Sequence, residues 1–208
     1  MSHYPCIIYK DFLPSDINAA LLQHAVLNQE DFHASKIFYD KRKEVDEKVN
    51  NPKMENWRKS QFTDKKTFEF FYEVLSDKML SMFDEICENL NISKFEVGDI
   101  EMQMTSHNDG DFYKPHVDNG SADASRRSLT FVYYFHSLPK QFSGGQLLFF
   151  QPKPSVIEPE NNTIVFFDPA LKHAVHPVQC PSRLFEHSRF TLNGWLRKKT
   201  SEQEPVSA

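Results

Sequence analysis

The chain has 208 residues, 39% of them hydrophobic, and a formal net charge of −5. That is enough apolar material for one domain with a sizeable core, and the acidic balance counts against a protein that tracks nucleic-acid phosphates with a basic stripe. Cys6, Cys87 and Cys180 are too few and too scattered for a disulfide framework or a zinc knuckle and fit a reduced, cytoplasmic compartment; no basic-then-apolar leader opens the chain and no apolar run approaches membrane-span length.

Residues 7–13 read as a short strand that runs into Pro14, with Ser15 as N-cap of a helix. Ile17, Ala20, Leu21, His24, Ala25 and Leu27 follow helical spacing there, which makes His24 a packing or surface residue. Residues 31–62 are charged and irregular and read as a solvated loop; near its end, Trp57 and Arg58 are placed to line a substrate groove. From Asp64 to Asn91 one helix is expected, with Asp64 as cap and Phe68, Phe71, Tyr72, Leu75, Met79, Met82, Phe83, Ile86 and Leu90 as its apolar stripe.

After Gly98 the period changes to two. Ile100, Met102 and Met104 alternate with Glu101, Gln103 and Thr105, the pattern of a half-buried strand. His107 to Asp111 reads as a turn. Further strands are expected over 112–118, 128–135, 146–150, 163–167, 174–178 and 190–196. Many short strands separated by turns give a mainly β fold, a sandwich or jelly roll. Residues 1–97 then form an N-terminal buttress of a strand, helices and a variable loop, 98–199 the core, and 200–208 a loose tail.

Tyr113-Lys-Pro-His-Val-Asp-Asn-Gly120 carries the chemistry. On an extended strand residues i and i+2 point the same way, so His116 and Asp118 can share one ion. Joined by one distant histidine they make the 2-His-1-carboxylate face of non-haem Fe(II) oxygenases. Taken alone, H-x-D is also just a surface His beside a surface Asp. The later stretch 166–178 offers His173 and His176, three apart and so on opposite faces of one strand; only one can join the pair. Arg189 opens an alternating strand that also holds Asn193 and Trp195. A planar guanidinium grips a carboxylate through two parallel hydrogen bonds, which Lys cannot do.

These motifs occur in one order: Phe112–Gly120, Arg127–Tyr134, Ser143–Leu147, His173–Val178 and Arg189–Trp195. Together they resemble the Fe(II)/2-oxoglutarate dioxygenases, and within them the prolyl 4-hydroxylase-like group, which includes oxygen-sensing prolyl hydroxylases and bacterial relatives. The resemblance implies a double-stranded β-helix buttressed by N-terminal helices. It implies His116, Asp118 and His173 as iron ligands, and leaves His176 exposed or supporting. It implies Arg189 and the Tyr134 hydroxyl on the distal carboxylate of 2-oxoglutarate, with Asn193 and Trp195 lining the same pocket. Gly144 and Gly145 would supply a turn with positive φ. The gap from His173 to Arg189 is longer than in close relatives, and Arg183, inside that extra stretch, is a rival for the role of Arg189.

The function implied is hydroxylation of a C–H bond with Fe(II), O2 and 2-oxoglutarate, giving succinate and CO2, with ascorbate as reductant. A prolyl residue of a protein or peptide is the expected substrate, held in a groove walled by 31–62 and 107–111. A free amino acid or other small metabolite is the alternative, and a metal-binding jelly roll without turnover, a sensor or scaffold, is the rival from another class. No nucleic-acid or membrane partner is expected.

Overall fold

A computed structural model describes residues 5–35, 57–120 and 123–200. Most of the stretch expected as a charged loop, and the expected tail from residue 201 on, lie outside the described residues.

Alternation along three long strands sets the architecture. These are β5 (Val97–His107), β7 (Arg127–Phe135) and β14 (Arg189–Lys198), where β14 lies antiparallel between the other two. One parity is apolar: Met102 and Met104, Leu129, Phe131, Tyr133 and Phe135, Phe190, Leu192 and Leu196 all enter the main core. The other parity is polar: Gln103, Thr105 and His107, Thr130, then Arg189, Thr191 and Asn193 face a cavity on the opposite side. Successive side chains leave a strand on opposite faces, so one sheet serves both a core and a site.

The apolar face is covered by helices. α1 (Ser15–Leu27) buries Leu21 and Ala25, α2 (Glu69–Ser81) buries Phe71, Leu75 and Met79, and α3 (Phe83–Leu90) buries Ile86. The main sheet is completed by β1 (Cys6–Lys10), β11 (Thr163–Phe167), β4 (Gln61–Thr63) and β2 (His33–Ala34), in the order β1-β11-β7-β14-β5-β4-β2. A second sheet lies over the polar face: β10 (Ser155–Ile157), β9 (Leu147–Phe149), β12 (His173–Val175), β6 (Phe112–His116) and β3 (Arg58–Lys59). Tyr134, Leu147, Phe149, Val165 and Phe167 form a small core between the sheets at one end. The pair β8 (Ser143–Gly144) and β13 (Val178–Gln179) forms a separate two-stranded sheet. The fold is the expected mainly antiparallel jelly roll with N-terminal helices.

Several local expectations are corrected. The residue ahead of α1 is Pro14, whose carbonyl accepts from the Asn18 N–H at 3.0 Å; Ser15 is already helical and caps nothing. The single helix over 64–91 is a short 3-10 turn (Lys65–Thr67) followed by two helices that break at Met82. After the break, α3 meets β1, where Glu85 accepts from the Tyr9 hydroxyl at 2.9 Å. The ends of the supposed loop 31–62 are strands, because β2, β3 and β4 hydrogen-bond to sheet edges. His107 is not in a turn but ends β5, paired with Arg189.

Candidate metal centre and its pocket

Two histidines and one carboxylate converge between the sheets. His116 ends β6 and His173 opens β12, and the two strands pair with these residues opposite each other. Asp118 lies just past the end of β6 rather than on it, held there by its N–H donating to the Pro169 carbonyl at 2.9 Å. His116 Nε2 stands 3.5 Å from Asp118 Oδ1, and His173 Nε2 stands 3.6 Å from Asp118 Oδ2. One ligand atom from each residue lies within 4.8 Å of the others. Bonds from imidazole or carboxylate to a divalent first-row metal are about 2.0–2.2 Å long, so one ion reaches all three.

Backbone carbonyls set the tautomers. Nδ1 of His116 lies 2.8 Å from the Lys114 carbonyl, and Nδ1 of His173 lies 2.8 Å from the Leu171 carbonyl. A carbonyl only accepts, so each Nδ1 carries the proton and each Nε2 presents its lone pair to the site. Burial favours the neutral form of His173 and lowers its pKa, against the pull of Asp118. Burial alone would raise the pKa of Asp118, but His173 and His116 outweigh it and hold the carboxyl below the usual range. Thr130 Oγ1 donates to Asp118 Oδ2 at 3.0 Å and fixes its rotation. Neutral imidazoles and an ionised carboxylate suit iron, zinc or nickel rather than magnesium. His176 is exposed and lies outside β12.

From this centre a cavity of about 560 Å³ runs along the polar face of β5, β7 and β14. Arg189 lies at one end, only 2% exposed. Its Nε donates to the Gly145 carbonyl at 2.8 Å and its Cζ lies 4.9 Å from the centre of the Tyr134 ring. Burial lowers its pKa, and among the described residues no carboxylate pairs with it. Nearby, Tyr134 Oη and His107 Nε2 are buried without a hydrogen-bond partner. Unpaired buried polar atoms are costly, so the Arg189 guanidinium and His107 Nε2, which line this cavity, fit a carboxylate ligand, while Tyr134 packs against Arg189 from the small core. Gly144 and Gly145 both have positive φ, +72° and +70°, and a Cβ on Gly145 would lie 2.5 Å from Arg189 Cδ.

Asn193 Oδ1 accepts from Thr105 Oγ1 at 2.8 Å and from Thr191 Oγ1 at 3.0 Å, in the middle of the cavity wall. Trp195 lines the same cavity but not the Arg189 end. It is six residues further along β14, about 20 Å at the usual strand rise, and pairs with Thr130, which holds Asp118. Arg127 stacks on its indole at 3.4 Å. Arg183 is outside this cavity: it is exposed, has φ +55° and pairs with Asp109 at 3.1 Å.

His107 is the residue the sequence reading missed. It is buried, and its Nδ1 lies 3.4 Å from Arg189 Nη1, so Nδ1 accepts and the ring proton sits on Nε2. Burial, then Arg189 and Arg58, push its pKa well below the ordinary histidine value, so the ring is a neutral N–H donor. The signal was present: continuing the alternation of Gln103 and Thr105 by one step puts His107 on the same face.

The profile of the 2OG-Fe(II) oxygenase superfamily matches residues 102–197. An uncharacterized PKHD-type hydroxylase of Synechocystis sp. is 36% identical over 201 residues, which cover 91% of this chain; the chain spans 62% of that relative's length. Among solved structures, a Pseudomonas putida prolyl-4-hydroxylase matches with a TM-score of 0.65 at 20% identity, over 96% of this chain and 95% of the other. A prolyl hydroxylase from Trichoplax adhaerens, in complex with a hypoxia inducible factor oxygen degradation domain peptide fragment, matches with a TM-score of 0.63 at 19% identity, over 93% of this chain and 84% of the other. These structural likenesses show the shared fold.

Proposed function

We propose that the chain is a 2OG-Fe(II) oxygenase that hydroxylates a prolyl residue of a protein or peptide; the profile match over residues 102–197 and the 36% identity to a PKHD-type hydroxylase support this reading. The cosubstrates are O2 and 2-oxoglutarate, the coproducts succinate and CO2, and ascorbate serves as reductant. The observation that carries the chemistry is the juxtaposition of the His116–Asp118–His173 face with the buried Arg189 in one cavity. Fe(II), held by His116 Nε2, an Asp118 oxygen and His173 Nε2, supplies the oxygen activation when bound.

The chain's own residues do the rest. Arg189 and the Tyr134 hydroxyl hold the distal carboxylate of 2-oxoglutarate, and His107 adds a neutral Nε2–H donor at that end. Thr130 keeps Asp118 from rotating away from the metal face. Leu147 and Val175, among the lining residues, make part of the wall apolar and limit water at the reacting carbon. The prolyl assignment is supported by the likeness to prolyl hydroxylases, one of them solved with a peptide fragment bound. The three buried free cysteines agree with a reducing compartment, and we place the protein in the cytoplasm. No helix among the described residues is long and apolar enough to cross a membrane.

The experiment is a proteome digest incubated with the enzyme, Fe(II), 2-oxoglutarate and ascorbate, read by mass spectrometry for a gain of one oxygen atom. Expected are hydroxylated prolyl residues that vanish with Asp118→Ala. Modification of other residue types only, or of free amino acids only, refutes the prolyl assignment.

A further inference from the structure

We propose that Arg58 anchors a carboxylate of the substrate, so that the enzyme selects an acidic group close to the carbon it hydroxylates. This rests on the hydroxylase reading of the cavity and names the substrate chemistry of that same site.

Arg58 lies on β3, the edge strand of the second sheet, opposite Tyr113 of β6. Its guanidinium carbon lies 4.9 Å from the centre of the Tyr113 ring. That ring in turn stacks on His116 at 3.6 Å with an interplanar angle of 17°. The guanidinium thus stands one aromatic contact from the metal face and lines the same cavity. Its Nε donates to Ser60 Oγ at 2.9 Å, which fixes the fork, and no hydrogen bond occupies its terminal nitrogens among the described residues.

Charge accounting inside the cavity gives the reason for a carboxylate. Three arginines and two carboxylates line it. Arg127 and Glu101 satisfy each other through two hydrogen bonds of 2.6 and 3.1 Å. Asp118 belongs to the metal face and Arg189 to the cosubstrate. A divalent metal and a dianionic cosubstrate cancel, so the loaded site keeps one positive charge more than it has negative. Arg58 carries that charge. Its neighbour Lys59 is already paired with Asp111 at 3.0 Å. A half-buried guanidinium whose terminal N–H groups have no partner among the described residues, at the wall of this cavity, is the arrangement that grips a carboxylate through a planar fork. Burial lowers the Arg58 pKa against the weaker pull of Tyr113 and Asp118, neither of which hydrogen-bonds it.

The carboxylate could come from an acidic side chain near the target residue or from a free amino acid, and the test separates them. Protein loaded with Mn(II) and 2-oxoglutarate is titrated with labelled, end-blocked peptides, followed by fluorescence anisotropy. The set has four members: Pro or Ala at the centre, each with either Asp/Glu or Asn/Gln within two residues. Acidic peptides should bind about tenfold or more tightly than their amides, the scale of one charge-assisted hydrogen bond pair. Arg58→Gln should abolish that preference and Arg58→Lys should keep part of it; thermal melting checks that both variants fold. Equal binding of acid and amide, or a preference that survives Arg58→Gln, overturns the proposal. So does a tenfold loss of 2-oxoglutarate affinity in Arg58→Gln, which would give the guanidinium to the cosubstrate. An acidic preference shared by Pro and Ala peptides keeps Arg58 as anchor and removes the prolyl assignment. Displacement of the peptide by free L-proline at equal concentration keeps the anchor and assigns the carboxylate to a free amino acid.

Discussion

Replacing Arg189 by Lys keeps a positive charge at the buried end of the cavity and removes the fork. The wild-type guanidinium spends Nε on the Gly145 carbonyl, 2.8 Å away, packs over Tyr134 and gives one Nη1–H to His107 Nδ1 at 3.4 Å, which leaves the other terminal N–H groups to meet a ligand carboxylate. A lysine ammonium reaches as a point charge and cannot serve Gly145 and both carboxylate oxygens together. A hydrogen bond involving a charged group is worth about 1.5–3 kcal/mol, and loss of one from the bidentate pair lowers cosubstrate affinity by about 10- to 150-fold. The Gly145 carbonyl, buried and left without its donor, costs about 1–3 kcal/mol of stability besides. Calorimetric titration of 2-oxoglutarate into Mn(II)-loaded protein reads the first quantity and urea melting the second. An Arg189→Lys protein that binds 2-oxoglutarate within about threefold of wild type would mean that the carboxylate is held elsewhere, and the assignment of Arg189 would fall.

The remaining expectations bear on separate parts of the site. Gly145→Ala puts a Cβ 2.5 Å from Arg189 Cδ at a φ of +70°; the backbone conformation alone costs about 1–2 kcal/mol, and 2-oxoglutarate affinity should fall while metal affinity measured by titration stays. His173→Ala should abolish metal binding, whereas His176→Ala, at an exposed position, should leave it within about twofold; the reverse pattern would exchange the two ligands. His107 and His136 are both held neutral by burial, with pKa values below the ordinary 6.5. The unfolded chain therefore takes up their protons first as pH falls through about 6.5, and stability, complete above that value, is lost below it. Each adds at most about 1.4 kcal/mol per pH unit, and only below about pH 6.5, in metal-free protein, where His173, also lowered by burial, adds its own share. Urea melts between about pH 7.5 and 5.5 measure the slope, and His107→Gln should make it shallower below about pH 6.5.

Period-two patterning made the sheet legible: Ile100–Thr105 and 128–135 show one apolar and one polar face, and the structure puts core on one side and cavity on the other. The motif order likewise brought His116, Asp118, His173 and Arg189 to one cavity. What could not be read were elements defined by pairing alone. β2 and β3 are two residues each, too short for any period, and exist because a sheet edge offers them partners. The helix over 64–91 was read as continuous because its apolar stripe continues through Met82, so the stripe carries no mark of the break between α2 and α3. His107 was given to the turn by the polar run that follows it, although it shares the parity of Thr105. Trp195 shares the parity of Arg189, but six residues of strand separate them, and parity carries no distance.

The most direct test uses isotopically labelled dioxygen. The protein is supplied with Fe(II), 2-oxoglutarate and ascorbate, and the succinate formed is read by mass spectrometry. If His116, Asp118 and His173 hold iron beside a 2-oxoglutarate anchored on Arg189, succinate carries one labelled oxygen atom, and Asp118→Ala, folded by its melting curve, forms none. Succinate at the level of the metal-free control, or unlabelled, would contradict the account.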